Sequence, residues 1–205
     1  MPVRVDVFAD VACPFAHVSL RRIRAARSER GSDAQLVVRA WPLELVNGQP
    51  LDPHLVASEI ADLRDQLVPE LFTAFDERAF PGTSIPAFGL ARAAYDHGVD
   101  VGEEVSVAIR DALFEAGRPI AELGVLEDIG ARYGVDVPDA ATAAAGAQAD
   151  WEEGQRRGVQ GSPHFFVDGV GEFCPALRIE PRAAGGLQIA PDHDRLRAFL
   201  DRALG

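Results

Sequence analysis

Two short apolar segments, Val3 to Ala9 (VRVDVFA) and His164 to Val167 (HFFV), stand on either side of a long stretch, Pro53 to about Arg157, that carries helical spacing and no convincing strand. A strand-helix-strand unit and a later hairpin-helix unit flank an all-helical insertion. Pro14 to Glu29 has helical spacing through Phe15, Val18, Leu20 and Ile23, and Gly31-Ser32-Asp33 punctuates its end. Gln35 to Trp41 then reads as a second strand, which makes a strand-helix-strand unit with parallel strands. Pro42 to Pro53 reads as an irregular connector.

Within the insertion, helical patterns recur in PHLVASEIADLRDQL, ELFTAF, IPAFGLARAAYDHG, EEVSVAIRDALFEA, IAELGVLEDIGARYG and PDAATAAAGAQADWEEGQRRG, with glycines near the breaks. After His164 to Val167, the turn Asp168-Gly169-Val170-Gly171 leads to Glu172 to Cys174 as a hairpin partner. Asp192 to Leu204 reads as the last helix. The fold class is α/β, with residues 1–50 and 158–205 forming one domain and 51–157 an inserted helical domain.

Composition narrows the chemistry. Of 205 residues, 47% are apolar and 25% charged, which suits a globular chain with a sizeable core. The net charge of -12 argues against a nucleic-acid partner, because phosphate binding needs a concentrated basic face. No apolar run approaches a membrane span, and Met1-Pro2-Val3-Arg4 leads into a strand without a secretory pattern. All twenty basic residues are arginine, so neither a lysine Schiff base nor a P-loop lysine operates here. Cys13 and Cys174 are the only cysteines, which excludes a disulfide scaffold and points to a reducing cytoplasm. No metal-ligand spacing appears among the cysteines and histidines.

The residues that carry chemistry begin with Cys13. Pro14 suits the first helical position, where its missing N–H costs nothing. Cys13 then stands at the N-cap, where free N–H groups and the helix dipole favour a thiolate. Such settings lower a cysteine pKa from ~8.5 to between ~3.5 and ~7.5, so Cys13 is expected to be a nucleophile. Ser162-Pro163, opening the returning strand, is a candidate cis peptide bond that leaves the Ser162 backbone free to pair with an extended substrate.

The valine-rich strand, Cys-Pro-x-x at a helix start, the helical insertion and Gly158-Val159-Gln160-Gly161-Ser162-Pro163-His164-Phe165-Phe166-Val167-Asp168-Gly169 together resemble the DsbA-like branch of the thioredoxin superfamily. That branch includes kappa-class glutathione transferases and hydroxychromene-carboxylate isomerases. Trp41-Pro42-Leu43-Glu44-Leu45 and the stretch from Leu113-Phe114 to Asp136 extend the likeness over nearly the whole chain. The resemblance implies a thioredoxin fold with a large all-helical insertion, Cys13 as nucleophile, Pro163 as the cis proline and the insertion as a cap.

The motif departs from the dithiol pattern, because the residue three after Cys13 is Ala16. A second thiol there would release a mixed disulfide, and alanine has none. Three readings stay open: thiol-disulfide exchange by Cys13 alone, a thiol-dependent isomerase or glutathione-transferase-like reaction, and a non-catalytic peptide-binding protein. The first needs a small thiol such as glutathione or mycothiol as co-substrate, or a protein mixed disulfide as partner. No tightly bound cofactor, metal, nucleic acid or membrane partner is expected, and a homodimer is left open. The candidate catalytic residues are Cys13 and His17, the latter four positions on and so on the same helix face. Pro14, Phe15, Ser162, Pro163 and His164 are the candidate substrate-binding residues. Cys174 is expected to be a packed thiol, since an intervening strand puts its backbone about 10 Å from Cys13.

Overall fold

The computed structural model describes residues 2–183 and 185–205. In chain order these form β1 (Arg4–Ala9), α1 (Pro14–Arg30), β2 (Gln35–Ala40), α2 (Leu43–Asn47) and α3 (Pro53–Gln66). A 3-10 turn at Glu77–Ala79 is followed by α4 (Ile85–Tyr95), α5 (Val99–Phe114), α6 (Leu123–Tyr133) and α7 (Ala140–Arg157). The chain ends with β3 (His164–Val167), β4 (Val170–Phe173), β5 (Leu177–Pro181), β6 (Leu187–Pro191) and α8 (His193–Leu204). Asp52, Asp139 and Asp192 open α3, α7 and α8, each carboxylate accepting a backbone N–H of the first turn.

The main sheet has the order β2-β1-β3-β4. β1 is central, parallel to β2 with Val7 opposite Val38, and antiparallel to β3 with Val7 opposite Phe165. β3 in turn pairs antiparallel with β4. The sheet thus joins the first residues of the chain to residues about 160 positions on. Strand alternation sorts the side chains. Val5, Val7, Ala9, Phe165 and Val167 face α1 and α8 and pack on Ala16, Leu20, Ile23, Phe199 and Leu200. Phe8, Phe166 and Trp41 form the core of the other face, toward α7. There the Arg157 guanidinium lies 4.2 Å from the Phe166 ring centroid and 2.9 Å from Asp6. Helix α7 approaches closely because Gly154 has no side chain; a Cβ there would fall 2.5 Å from the Trp41 ring.

The outer edge of β2 would otherwise offer unpaired backbone groups for association. Tyr95 at the end of α4 covers it, its hydroxyl accepting from Val38 N at 2.7 Å and donating to Leu36 O at 3.3 Å. Asp150 of α7 accepts from Ala40 N at 3.1 Å. The insertion is also bound to α1, where Arg24 and Arg27 converge on the buried Glu103 of α5 at 2.7 and 2.6 Å. Its core runs through Leu90, Ile109, Leu113, Leu126 and Ile129.

Four segments differ from the sequence reading. The β3-β4 turn is Asp168-Gly169 alone, with Val170 and Gly171 already in β4 and Cys174 just beyond it. ELFTAF lies in turns rather than a helix: Phe72 takes φ 60°, and its N–H is held by the Glu115 carboxylate at 3.1 Å. The connector after Trp41 contains the short helix α2. Most of the segment between Cys174 and Asp192 forms the β5-β6 hairpin, packed on α3 through Gln66 and Asp62. Its strands, LRIEP and LQIAP, do alternate, a short period-two signal that the sequence reading passed over.

The covered edge is testable. Tyr95→Phe leaves Val38 N–H without its acceptor and is expected to cost about 1–3 kcal/mol. Urea unfolding should show a lower midpoint at an unchanged slope.

Candidate functional site

The turn between β1 and α1, residues 10–13, is built around the Asp10 carboxylate. Oδ1 accepts from Ala12 N at 2.8 Å and from Ser84 Oγ at 3.2 Å, and Oδ2 accepts from Leu43 N at 2.6 Å. The Asp10 carbonyl accepts from Cys13 N at 3.4 Å and from Arg110 Nη2 at 3.2 Å. Asp10 N donates to Ser162 Oγ at 2.9 Å. One residue thereby ties the turn to α2, to the start of α4, to α5 and to the residue before Pro163. Burial pushes the Asp10 carboxyl above the ordinary carboxylate range, against the pull of these hydrogen bonds.

Cys13 is the N-cap residue of α1, in extended geometry with Pro14 following as the first helical residue. The Ser162–Pro163 peptide bond is cis. The Cys13 thiol donates to the Ser162 carbonyl oxygen at 3.3 Å. Cys13, Ser162 and Pro163 therefore meet, with Pro14 buried and Phe15 partly buried between the sheet core and the helical core. Ala16 is fully buried on the same side as Cys13.

The expected thiolate is not what this geometry favours. Cys13 is only 4% exposed, and burial pushes its thiol up to about 12. Hydrogen bonds from Ser162 and the Ala16 N–H act in the opposite direction, while Glu59 and then Asp10 add negative field. Loss of water around the sulfur outweighs the helix N-terminus.

His17 does not serve Cys13. Its ring lies between Phe72 and Phe114, at centroid distances of 5.3 and 5.0 Å, with Nε2 2.7 Å from Glu115 Oε1. Burial holds its pKa below the usual imidazole value. The histidine fastens α1 to α5 and to the turn at Phe72. His164 is likewise elsewhere: alternation along β3 sends it to the α7 face, stacked on Phe166 at 4.6 Å. Its Nδ1 accepts from Gln160 N at 3.0 Å. Cys174 is buried beside Pro163, whose carbonyl accepts from Cys174 N at 3.0 Å; both cysteines are free thiols.

Asp10, Ser84 and Arg110 are the site residues that sequence reading missed. Asp10 carried a signal as a carboxylate closing an apolar strand three residues before a Cys-Pro. Arg110 interrupts the apolar face formed by Val105, Ile109 and Leu113. Its guanidinium is buried, which lowers its pKa to about 10, and Ser106 accepts from Nη1 with both its carbonyl and its hydroxyl. Glu59, a half-buried residue of α3, borders the buried Val56, Ile60 and Leu63 of that helix. Burial, and after it Asp62, raise its pKa from 4.5 to about 7. No group of three or more metal-binding side chains occurs among the described residues.

Asp10→Ala strips acceptors from two backbone N–H groups and a hydroxyl. A loss of about 3 kcal/mol or more in denaturant unfolding is expected, from roughly 1–3 kcal/mol per orphaned group. Glu59 gives a pH signature. Its folded pKa is raised, so its contribution to stability is complete below 4.5 and gone above about 7. Glu59→Gln should therefore raise Tm above neutral pH, with the gain disappearing in acid.

The whole arrangement has known counterparts. The family model of the DSBA-like thioredoxin domain matches residues 4–185. Among solved structures, a probable DsbA oxidoreductase from Streptomyces coelicolor is similar, with a TM-score of 0.69, 21% identity, and 98% of this chain and 89% of that chain covered. A 2-hydroxychromene-2-carboxylate isomerase aligns with a TM-score of 0.60 at 14% identity, over 83% of this chain and 88% of that chain. No curated protein matches in sequence. No helix among the described residues is long and apolar enough to cross a membrane. A strand-to-helix turn carrying Cys-Pro, a cis Ser-Pro across the sheet from it and the matched span of the family model make this chain a member of the DSBA-like thioredoxin domain family.

Proposed function

We propose that the protein is a thiol-disulfide oxidoreductase that works through Cys13 alone. The observation that carries the reading is the Cys13 sulfur lodged 3.3 Å from the Ser162 carbonyl beside Pro163, with Ala16 where a resolving thiol would stand. In the first step Cys13 sulfur attacks R–S–S–R′, forming Cys13–S–S–R and releasing R′–SH. In the second an outside thiol R″–SH attacks the mixed disulfide, restoring the Cys13 thiol and releasing R–S–S–R″. Glutathione or mycothiol is the co-substrate by chemistry, and a reducing cytoplasm is the setting. Both cysteines being buried free thiols supports that setting.

A second reading is a thiol-dependent isomerase or transferase. The high pKa of Cys13 favours it: a protonated thiol would hydrogen-bond a bound cofactor thiolate instead of attacking.

Intact-mass analysis of protein purified from its own cytoplasm should find one small thiol on Cys13, removable by excess reductant. An unmodified Cys13 that also resists oxidised glutathione and mycothiol disulfide would sink the exchange reading. Cys13→Ala should abolish exchange, whereas full activity in Cys13→Ser would favour the bound-thiol reaction. Ala16→Cys should create an internal disulfide with Cys13 and reduce the need for an outside thiol, measured by turnover against thiol concentration.

A further inference from the structure

A guanidinium in a protein core is normally met by a carboxylate, because a charge taken out of water needs compensation. Arg110 is 1% exposed, and its hydrogen bonds all go to uncharged oxygens. Nη1 donates to the Ser106 carbonyl at 2.9 Å and hydroxyl at 2.7 Å, and Nη2 donates to the Asp10 carbonyl at 3.2 Å. No carboxylate among the described residues forms an ion pair with it. Asp10 contributes a field only, its carboxylate being occupied by Ala12 N, Leu43 N and Ser84 Oγ. Tyr95, Cys13 and Asp111 act on the guanidinium more weakly still. The buried Nε has no acceptor among the described residues.

Arg110 lines a cavity of about 10 Å³ between β2, α4, α5 and α7, room for one water-sized body. The other polar residues around it are Arg39, Arg92, Ser106 and Asp150. Asp150 is spent: Oδ1 accepts from Arg92 Nη1 at 2.8 Å and Arg39 Nη1 at 3.4 Å, and Oδ2 accepts from Ala40 N at 3.1 Å. Ser106 Oγ already accepts from Arg110, which leaves its own proton for a further acceptor. On this side of the molecule two carboxylates, Asp6 and Asp150, serve four arginines, Arg4, Arg39, Arg92 and Arg157. They have no charge to spare for a fifth. The cavity shares Val38, Arg39, Arg92 and Asp150 with an open cleft of about 250 Å³ beside Tyr95 and Asp96, which gives it a route to solvent.

We propose that this cavity binds one small monovalent anion of the halide class. Water would need acceptors for its two protons, whereas the lining offers donors; a halide only accepts, and it brings the negative charge that Arg110 lacks. Arg110 Nε and the Ser106 hydroxyl donate to it from the inner wall, and Arg39 and Arg92 close the outer one. A halide is slightly larger than water, and the exposed Arg92 side chain is the wall that yields. Phosphate and sulfate exceed the room. The site is joined to the reactive turn, because the same guanidinium holds the Asp10 carbonyl to which Cys13 N also donates. An ion seated on one edge of Arg110 therefore fixes the other edge against the turn, whichever reaction Cys13 performs.

The test unfolds the intact protein in urea at fixed ionic strength while chloride replaces gluconate. A single site present only in the folded chain makes the folding constant rise about tenfold for each tenfold in chloride above the dissociation constant. Arg110→Met should abolish that dependence, and Ser106→Ala should move it to higher chloride. The serine variant decides the matter should the methionine variant fail to fold. Crystals grown in bromide should show an anomalous peak in the cavity within hydrogen-bond distance of Arg110 Nε. A folding constant indifferent to chloride overturns the proposal, as does a chloride dependence that both variants retain unchanged. Cavity density without anomalous signal is water, and it overturns the proposal equally, as does bromide found only at other places.

Discussion

The buried carboxylate of Asp10 holds together segments that are far apart in sequence. Its two oxygens bind the turn before Cys13, the first residue of α2 and the hydroxyl of Ser84, while its backbone binds Ser162 and Arg110. A buried carboxylate is expensive unless its lone pairs are filled. Those partners come from the sheet, from α5 and from the segments around α2 and α4, so the packing of the insertion and the conformation of the reactive turn are conditions for each other. The position of Cys13 is therefore a property of the whole molecule, although the residues that announce it lie within one short segment.

Two opposing electrostatic effects meet at the sulfur. The N-terminal position on α1 favours an anion, and the surrounding apolar packing disfavours one. Burial prevails, and the nearby carboxylates Glu59 and Asp10 reinforce it. The resulting site holds a protected thiol rather than a standing thiolate. Its chemistry must then be coupled to a proton acceptor, and the side chains that face the sulfur acquire more weight than the motif around it.

The main-sheet architecture was legible because strands and helices leave different periodicities. VRVDVFA, QLVVRAW and HFFV read as strands, and the long helices α4 to α7 read through their apolar spacing. The β5-β6 hairpin was passed over although LRIEP and LQIAP alternate, each run being only five residues long, and ELFTAF imitates a helix while Glu115 holds its backbone in turns. At the site, Cys13 and Ser162-Pro163 could each be singled out from sequence context, and the family resemblance paired them. His17 and His164 could not be placed correctly, since helix spacing fixes only a direction around α1, and one step along β3 chooses the face of the sheet.

The amino-acid sequence by itself determined the α/β class, the helical stretch between the strand units, the single cysteine at the start of α1 and the alanine that follows in place of a second thiol. These follow from local periodicity, proline and residue identity, which need no knowledge of distant partners. Tertiary structure decided that Cys13 is a buried protonated thiol, that His17 fastens helices, and that Asp10 and Ser162 hold the reactive turn. Desolvation and side-chain fields depend on which groups surround an atom in space, and residues from the turn after β1, from α5 and from the segment before β3 become neighbours only when the chain is folded.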